Sequence, residues 1–128
     1  MYYILTTINM RNNILIYINM KRSIILEKQE LLMRMESLSD ETRLNIVDLL
    51  SKNGEMCACE LLDKLSISQG TLSHHMKDLV NSGIVSCKKD GKWCHYKLEN
   101  DSICEVADYL EGLCCLKGSE CSCSCCKK

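Results

Sequence analysis

Proline and phenylalanine are absent from this chain of 128 residues, and tryptophan occurs once. A single core is therefore expected, built from Leu, Ile, Val and Met rather than from stacked rings. The formal net charge of -1 excludes a uniformly basic coat, so any nucleic-acid contact must come from a local patch. No run reaches the roughly 20 apolar residues of a membrane span, and no membrane partner is expected. Met1 to Asn19 is rich in Ile, Asn and Tyr, but Asn9, Arg11, Asn12 and Asn13 interrupt it. It has neither a basic start nor a small-residue cleavage site, so it does not read as a secretory signal. A cytoplasmic protein is expected. No grouping of nucleophile, base and orienting residue is visible, and Cys57 has no histidine near it in sequence, which argues against an enzyme.

Cysteine is what the chain has in excess, with 11 residues, an odd number, several in Cys-X-Cys spacing. Without a secretory signal, that pattern argues against a disulfide framework and for reduced, metal-binding thiols. No cysteine precedes Cys57. Residues 1–22 are set apart as an N-terminal extension or a start chosen too early, with Met20 or Met33 as other starts. Residues 23–116 read as one domain, and 117–128 as a cysteine-rich tail.

Within that domain, Ile24, Ile25, Lys28, Leu31, Leu32 and Met35 recur at helical spacing. Ser39 is expected to cap a second helix, with Asp40 and Glu41 on the positive end of its dipole. That helix should bury Leu44, Val47, Leu49 and Leu50 and stop at Asn53-Gly54. A short third helix is expected from about Ala58 to Leu65. After the turn at Ser66-Ile67, Ser68 should cap a fourth, with Leu72, His75, Met76, Leu79 and Val80 inward and Gly83 at its end. Ile84 to Lys88 and Trp93 to Leu98 read as strands joined at Asp90-Gly91. If those two residues form the turn, Cys87 and Cys94 stand directly opposite each other, as small core residues rather than a ligand pair. Ile103, Val106, Ala107, Leu110, Leu113 and Cys114 mark a last amphipathic helix. The fold class is mainly α with a small β-hairpin, a winged helix-turn-helix, and the apolar helices at both ends of the chain suggest a dimer.

The fourth helix carries a polar face opposite its apolar stripe: Gln69, Gly70, Ser73, His74 and Lys77, with Thr71 near the tip. Gln pairs bidentately with adenine, Ser and Thr bond several base edges, and a helix N-terminus suits phosphate. Gly70 would permit close approach to the duplex. Double-stranded operator DNA is the expected partner. The hairpin adds Lys88, Lys89, Lys92 and Lys97 against Asp90, a local charge of +3, and its Lys88, Lys89 and Lys92 would hold backbone phosphates.

Cys57-Ala58-Cys59 opens the short helix leading into this unit. Residues two apart lie on opposite sides of an ideal helix, so both thiols can grip one ion only if Cys57 sits at the cap or the first turn opens. Chelation there would pull on the helix that supports the DNA-reading one.

Leu38-Ser39-Asp40-Glu41-Thr42-Arg43-Leu44, the run Ile67 to Leu79 with its Ser73-His74-His75, and Asp90-Gly91-Lys92-Trp93 resemble the ArsR/SmtB family of metal-responsive repressors over about Ser23 to Leu116. Glu55-Met56-Cys57-Ala58-Cys59-Glu60-Leu61 is similar to the thiol motif of its arsenic- and cadmium-responsive branches. The resemblance implies a homodimeric winged-helix repressor released from its operator when As(III) or Sb(III) binds cysteine thiolates. The same fold sensing Cd, Pb, Zn or Cu(I), or a thiol redox-switch repressor, is the alternative. The arsenic motif often has a third cysteine where this chain has Leu62. A third sulfur would then come from Cys114, Cys115, Cys121, Cys123, Cys125 or Cys126, which could equally form a second site. The His and carboxylate pairs of the SmtB-type zinc site are missing.

Overall fold

A computed structural model of the chain describes residues 27–114. The chain divides into two units, Met1–Leu32 and Met33–Lys128. In the first, the described residues 27–32 are helical; the described helical residues 27–37 are labelled α1. The second holds the end of α1 and then α2 (Glu41–Asn53), β1 (Met56–Cys57), α3 (Ala58–Lys64), α4 (Gln69–Asn81), β2 (Val85–Asp90), β3 (Trp93–Leu98) and α5 (Asn100–Cys114).

Each helix boundary has a local cause. Asp40, not Ser39, caps α2: its backbone is extended and its Oδ1 accepts the Arg43 N–H at 3.0 Å. Ser39 instead donates to the Glu36 carbonyl at 2.6 Å, closing the turn after α1. Accepting that backbone N–H holds the Asp40 carboxyl below its ordinary value of 3.8, with the charges of His75 and Arg43 adding to the effect. Gly54 ends α2 at φ 78, a backbone that side-chain-bearing residues rarely adopt, and its N–H reaches the Leu50 carbonyl. Ser68 caps α4 as expected, accepting from Thr71 N at 3.2 Å.

Ile46 and Leu50 of α2, Met56 of β1, Leu61 of α3, Leu72, Met76 and Leu79 of α4, and Ile84 and Val85 form the buried core. Burying each such side chain contributes about 1.5–3 kcal/mol. On α2 the helical phase differs from expectation. Ile46 and Leu50 share the inward row, Val47 and Leu49 flank it, and Leu44, two positions from Ile46, is half exposed. Arg43 donates to the Ser37 carbonyl at 2.6 Å and to Asp78 Oδ2 at 2.9 Å. It thereby ties the end of α1 and the start of α2 to α4. Ser82 and Ser37, both buried, are hydrogen-bonded at 2.9 Å.

The sheet has three strands in the order β1-β3-β2, all antiparallel neighbours. Met56 pairs with Tyr96 and Cys57 with His95, a strand absent from the sequence-based expectation. In the hairpin, Asp90 pairs with Trp93, so the turn is Gly91-Lys92, one residue later than expected, and each pairing partner lies two residues from the expected one. Gly91 has φ 60 and no non-glycine residue among those described has positive φ. A turn with glycine at its first central position meets that need, whereas a turn on Asp90-Gly91 would force Asp90 there. Cys87 consequently faces Tyr96, and Cys94 faces Lys89.

On α5, Ser102 and Val106 are buried and Ile103 packs partly on the core. Its second half leaves apolar side chains uncovered: Tyr109 is 43% exposed, Leu110 46% and Leu113 56%. Arg34 of α1 forms an ion pair with Glu105 of α5. Among the described residues, no helix is long and apolar enough to cross a membrane.

Candidate nucleic-acid interface and thiol site

The polar side of α4 is an open surface. Gln69, Gly70, Thr71, Ser73, His74 and Lys77 are all exposed, and a Cβ built on Gly70 would meet nothing within 4 Å. The Thr71 hydroxyl lies 2.8 Å from that of Ser68, so the first turn is held by both side chain and backbone. His74 stands 3.9 Å from Asp78 on the same helix. His75 points inward, 3.6 Å from Asp40 Oδ1, which is a packed histidine as expected. The Arg43–Asp78 pair and the buried Leu72, Met76 and Leu79 set the orientation of the whole helix.

The hairpin presents Lys88, Lys89 and Lys92, all exposed. Strand alternation puts Lys88 and Lys89 on opposite faces. Lys89 turns toward α4, while Lys92 lies 5.5 Å above the ring of the half-exposed Trp93 at the tip. Cation and indole together form a basic end to the wing.

Cys57 occupies the N-cap of α3, with φ -81 and ψ 162, and Cys59 lies in its first turn. The extended backbone at the cap turns the Cys57 side chain toward that of Cys59, the arrangement that an unbroken helix would forbid. The two are joined by a disulfide, their Cα atoms 5.4 Å apart. This differs from the reduced thiols expected from composition, and its cause is this local convergence rather than a framework between distant segments. Glu60 accepts the Cys57 N–H at 2.7 Å and so fixes the cap. His95, across the ladder from Cys57, stands 3.7 Å from Glu55. β1 and His95 are the parts of this site that sequence reading missed, since a two-residue strand carries no alternation to detect.

Once reduced, Cys57 and Cys59 offer two sulfur donors suited to a thiophilic ion. Among the described residues, no group of three His, Cys, Asp or Glu side chains converges to complete a site. Cys114, the last described residue, is exposed, while Cys115, Cys121, Cys123, Cys125 and Cys126 lie outside the described residues. On the wing, Cys87 is exposed and Cys94 half-buried, so neither is the small core residue expected. Burial and the neighbouring Cys94 thiol raise the pKa of Cys87. Burial, then the same two thiols, pushes Tyr96 up to about 12.

A helix-turn-helix with an exposed polar second helix and a basic two-stranded wing defines the winged-helix class of DNA-binding regulators. Residues 40–86 match the model of the bacterial regulatory protein, arsR family. The chain is 45% identical over 82 residues to an arsenical resistance operon repressor of Staphylococcus aureus, covering 64% of this chain and 78% of that one. It is 36% identical over 73 residues to a homolog of the cadmium resistance regulatory protein CadC, also of Staphylococcus aureus, covering 57% and 60% respectively. Among solved structures, an ArsR-like transcriptional regulator from Rhodococcus sp. RHA1 superposes with TM-score 0.60 at 28% identity, over 67% of this chain and 80% of that one. The chain belongs to the arsR family of DNA-binding regulators.

Proposed function

We propose that this protein is a homodimeric repressor that holds operator DNA and releases it when As(III) or Sb(III) binds the thiolates of Cys57 and Cys59. The observation that carries this reading is the placement of both sulfurs together at the cap of α3, one element ahead of the exposed helix α4. Gln69, Thr71, Ser73, His74 and Lys77 would meet base edges and phosphates, with Gly70 allowing close approach, while Lys88, Lys89 and Lys92 would hold the backbone. The half-exposed Leu110 and Leu113 of α5 support a second copy as the partner of that face. Cys114 or a tail cysteine would supply the third sulfur that a trivalent arsenical takes. The name of the Staphylococcus aureus arsenical repressor supports the choice of ion, and that of the CadC homolog supports cadmium as the alternative.

The Cys57 backbone is paired to β3 while the residue stands at the N-cap of α3, its N–H held by Glu60. Reorienting that residue around an ion therefore acts on the wing and on α3 together. The test is reciprocal linkage: the reduced protein should bind arsenite more tightly when free than when saturated with operator, by the factor by which arsenite weakens operator binding. Equal arsenite affinity in the two states would refute release by metal.

The disulfide favours one second reading, a thiol redox switch acting through the same two residues. Counting reactive thiols before and after mild oxidation, with operator affinity measured in both states, distinguishes it. If oxidation alone releases DNA and arsenite does not act on the reduced protein, the redox reading holds.

A further inference from the structure

We infer that Cys87, Cys94 and Met76 form a second, all-sulfur site, lying between the wing and α4, that takes a soft monovalent cation, Cu(I). A cavity of about 360 Å³ separates the inner face of the hairpin from α4. It is lined by Cys87, Cys94 and Tyr96 on the sheet and by Met76 on the helix, with Lys77 and Lys89 beside them. The register makes the thiols diagonal rather than opposite, since Cys87 pairs with Tyr96 and Cys94 with Lys89. Diagonal neighbours in an antiparallel pair stand about 7–8 Å apart, beyond the usual span of a disulfide. That spacing suits sulfur–metal–sulfur, with each bond about 2.3 Å. The two thiols are nevertheless close enough to interact electrostatically.

The donor chemistry narrows the ion. No carboxylate or imidazole lines the cavity, so the hard and borderline ligands that favour magnesium, manganese or a four-coordinate zinc are missing there. Two thiolates and a thioether are the soft set that selects Cu(I). The ammonium groups of Lys77 and Lys89 offset the negative charge left when two thiolates meet one monovalent cation. Binding releases the two thiol protons to solvent, and no electron moves, because copper enters and stays as Cu(I). A cation here would tie the wing to α4, and this site is independent of Cys57 and Cys59.

The experiment uses the full reduced chain under anaerobic conditions, with free Cu(I) fixed by a competing chelator. Alkylation rates at each cysteine are read by peptide mass spectrometry. Cys87 and Cys94 should lose reactivity together, with one shared half-saturation. Met76→Leu, a volume-conserving change, should move that half-saturation to about tenfold higher free Cu(I) and leave the response at Cys57 and Cys59 unchanged. Cys87→Ser, at an exposed position, should restore the metal-free reactivity of Cys94. Cys87 and Cys94 reacting at their metal-free rates while other cysteines are protected would overturn the site, as would recovery of a Cys87–Cys94 disulfide. An unshifted half-saturation in Met76→Leu would overturn the three-sulfur assignment.

Discussion

Cys57 and His95 are partners across the antiparallel ladder between β1 and β3. The residue that caps α3 is thus also the end of a sheet whose other two strands form the wing. Under the proposed mechanism, a change at this one sulfur-bearing residue would act on both elements flanking the recognition helix, on the wing through the β1–β3 ladder and on α3 through its cap.

Gln69→Ala and His74→Ala should each weaken binding to the preferred operator by about 1–3 kcal/mol and blur discrimination among related sequences. Both side chains are exposed and clear of the core, so thermal stability should be nearly unchanged. Fluorescence anisotropy on matched and mismatched duplexes checks this. Parent-like affinity in both variants would remove α4 from the base-reading role.

Lys89→Ala or Lys92→Ala should weaken binding to all sequences alike. Each should also reduce the dependence of log affinity on log salt by about one unit, because one fewer phosphate is neutralised and fewer counterions are released. A salt slope identical to the parent's would place the wing off the DNA.

Asp40→Asn should leave neutral-pH stability close to the parent's, because asparagine caps a helix about as well as aspartate. The pH dependence should differ. The folded-state pKa of Asp40 is depressed below 3.8, so its charged form adds stability above that value and loses it as pH falls through the folded pKa. The parent should therefore lose stability relative to the variant below about pH 4, as read by denaturant melts across pH. Parallel curves would mean that the cap gains nothing from its charge.

The caps and faces were legible where one residue type has one local job. Ser68 before α4 and Gly54 after α2 stand where expected, because a cap is decided by neighbours within four residues. Asp40 took the place of Ser39 because two adjacent residues could both cap, and only backbone geometry chooses between them. The hairpin register moved because Gly91 is needed at the first central position of its turn, which a dipeptide signal at Asp90-Gly91 does not reveal. The same shift turned Cys87 and Cys94 from an opposed pair into a diagonal one. Pairing of β1 with β3 joins residues 38 or more positions apart, beyond any local pattern. The thiol pair was legible as a motif, and the cap geometry that unites its sulfurs was one of the two arrangements the spacing allowed.

Leu110→Glu with Leu113→Glu should convert a dimer to a monomer and abolish high-affinity operator binding while the wing and α4 stay folded. Both positions are about half exposed in the single chain, so the charges cost little unless a second copy covers them. Sedimentation and circular dichroism together check this. A dimer that survives both charges would move the interface elsewhere.

The most direct test of metal-triggered release is an operator-binding titration with arsenite on the reduced parent and on the Cys57→Ser, Cys59→Ser double variant. The parent should lose affinity by about a thousandfold, corresponding to about 4 kcal/mol of coupling. The double variant should bind operator as the parent does without arsenite, and keep that affinity when arsenite is added. A double variant still released by arsenite, with release abolished only on removal of the chain from Cys114 onward, would place the sensor in the C-terminal cysteines and contradict the assignment to Cys57 and Cys59.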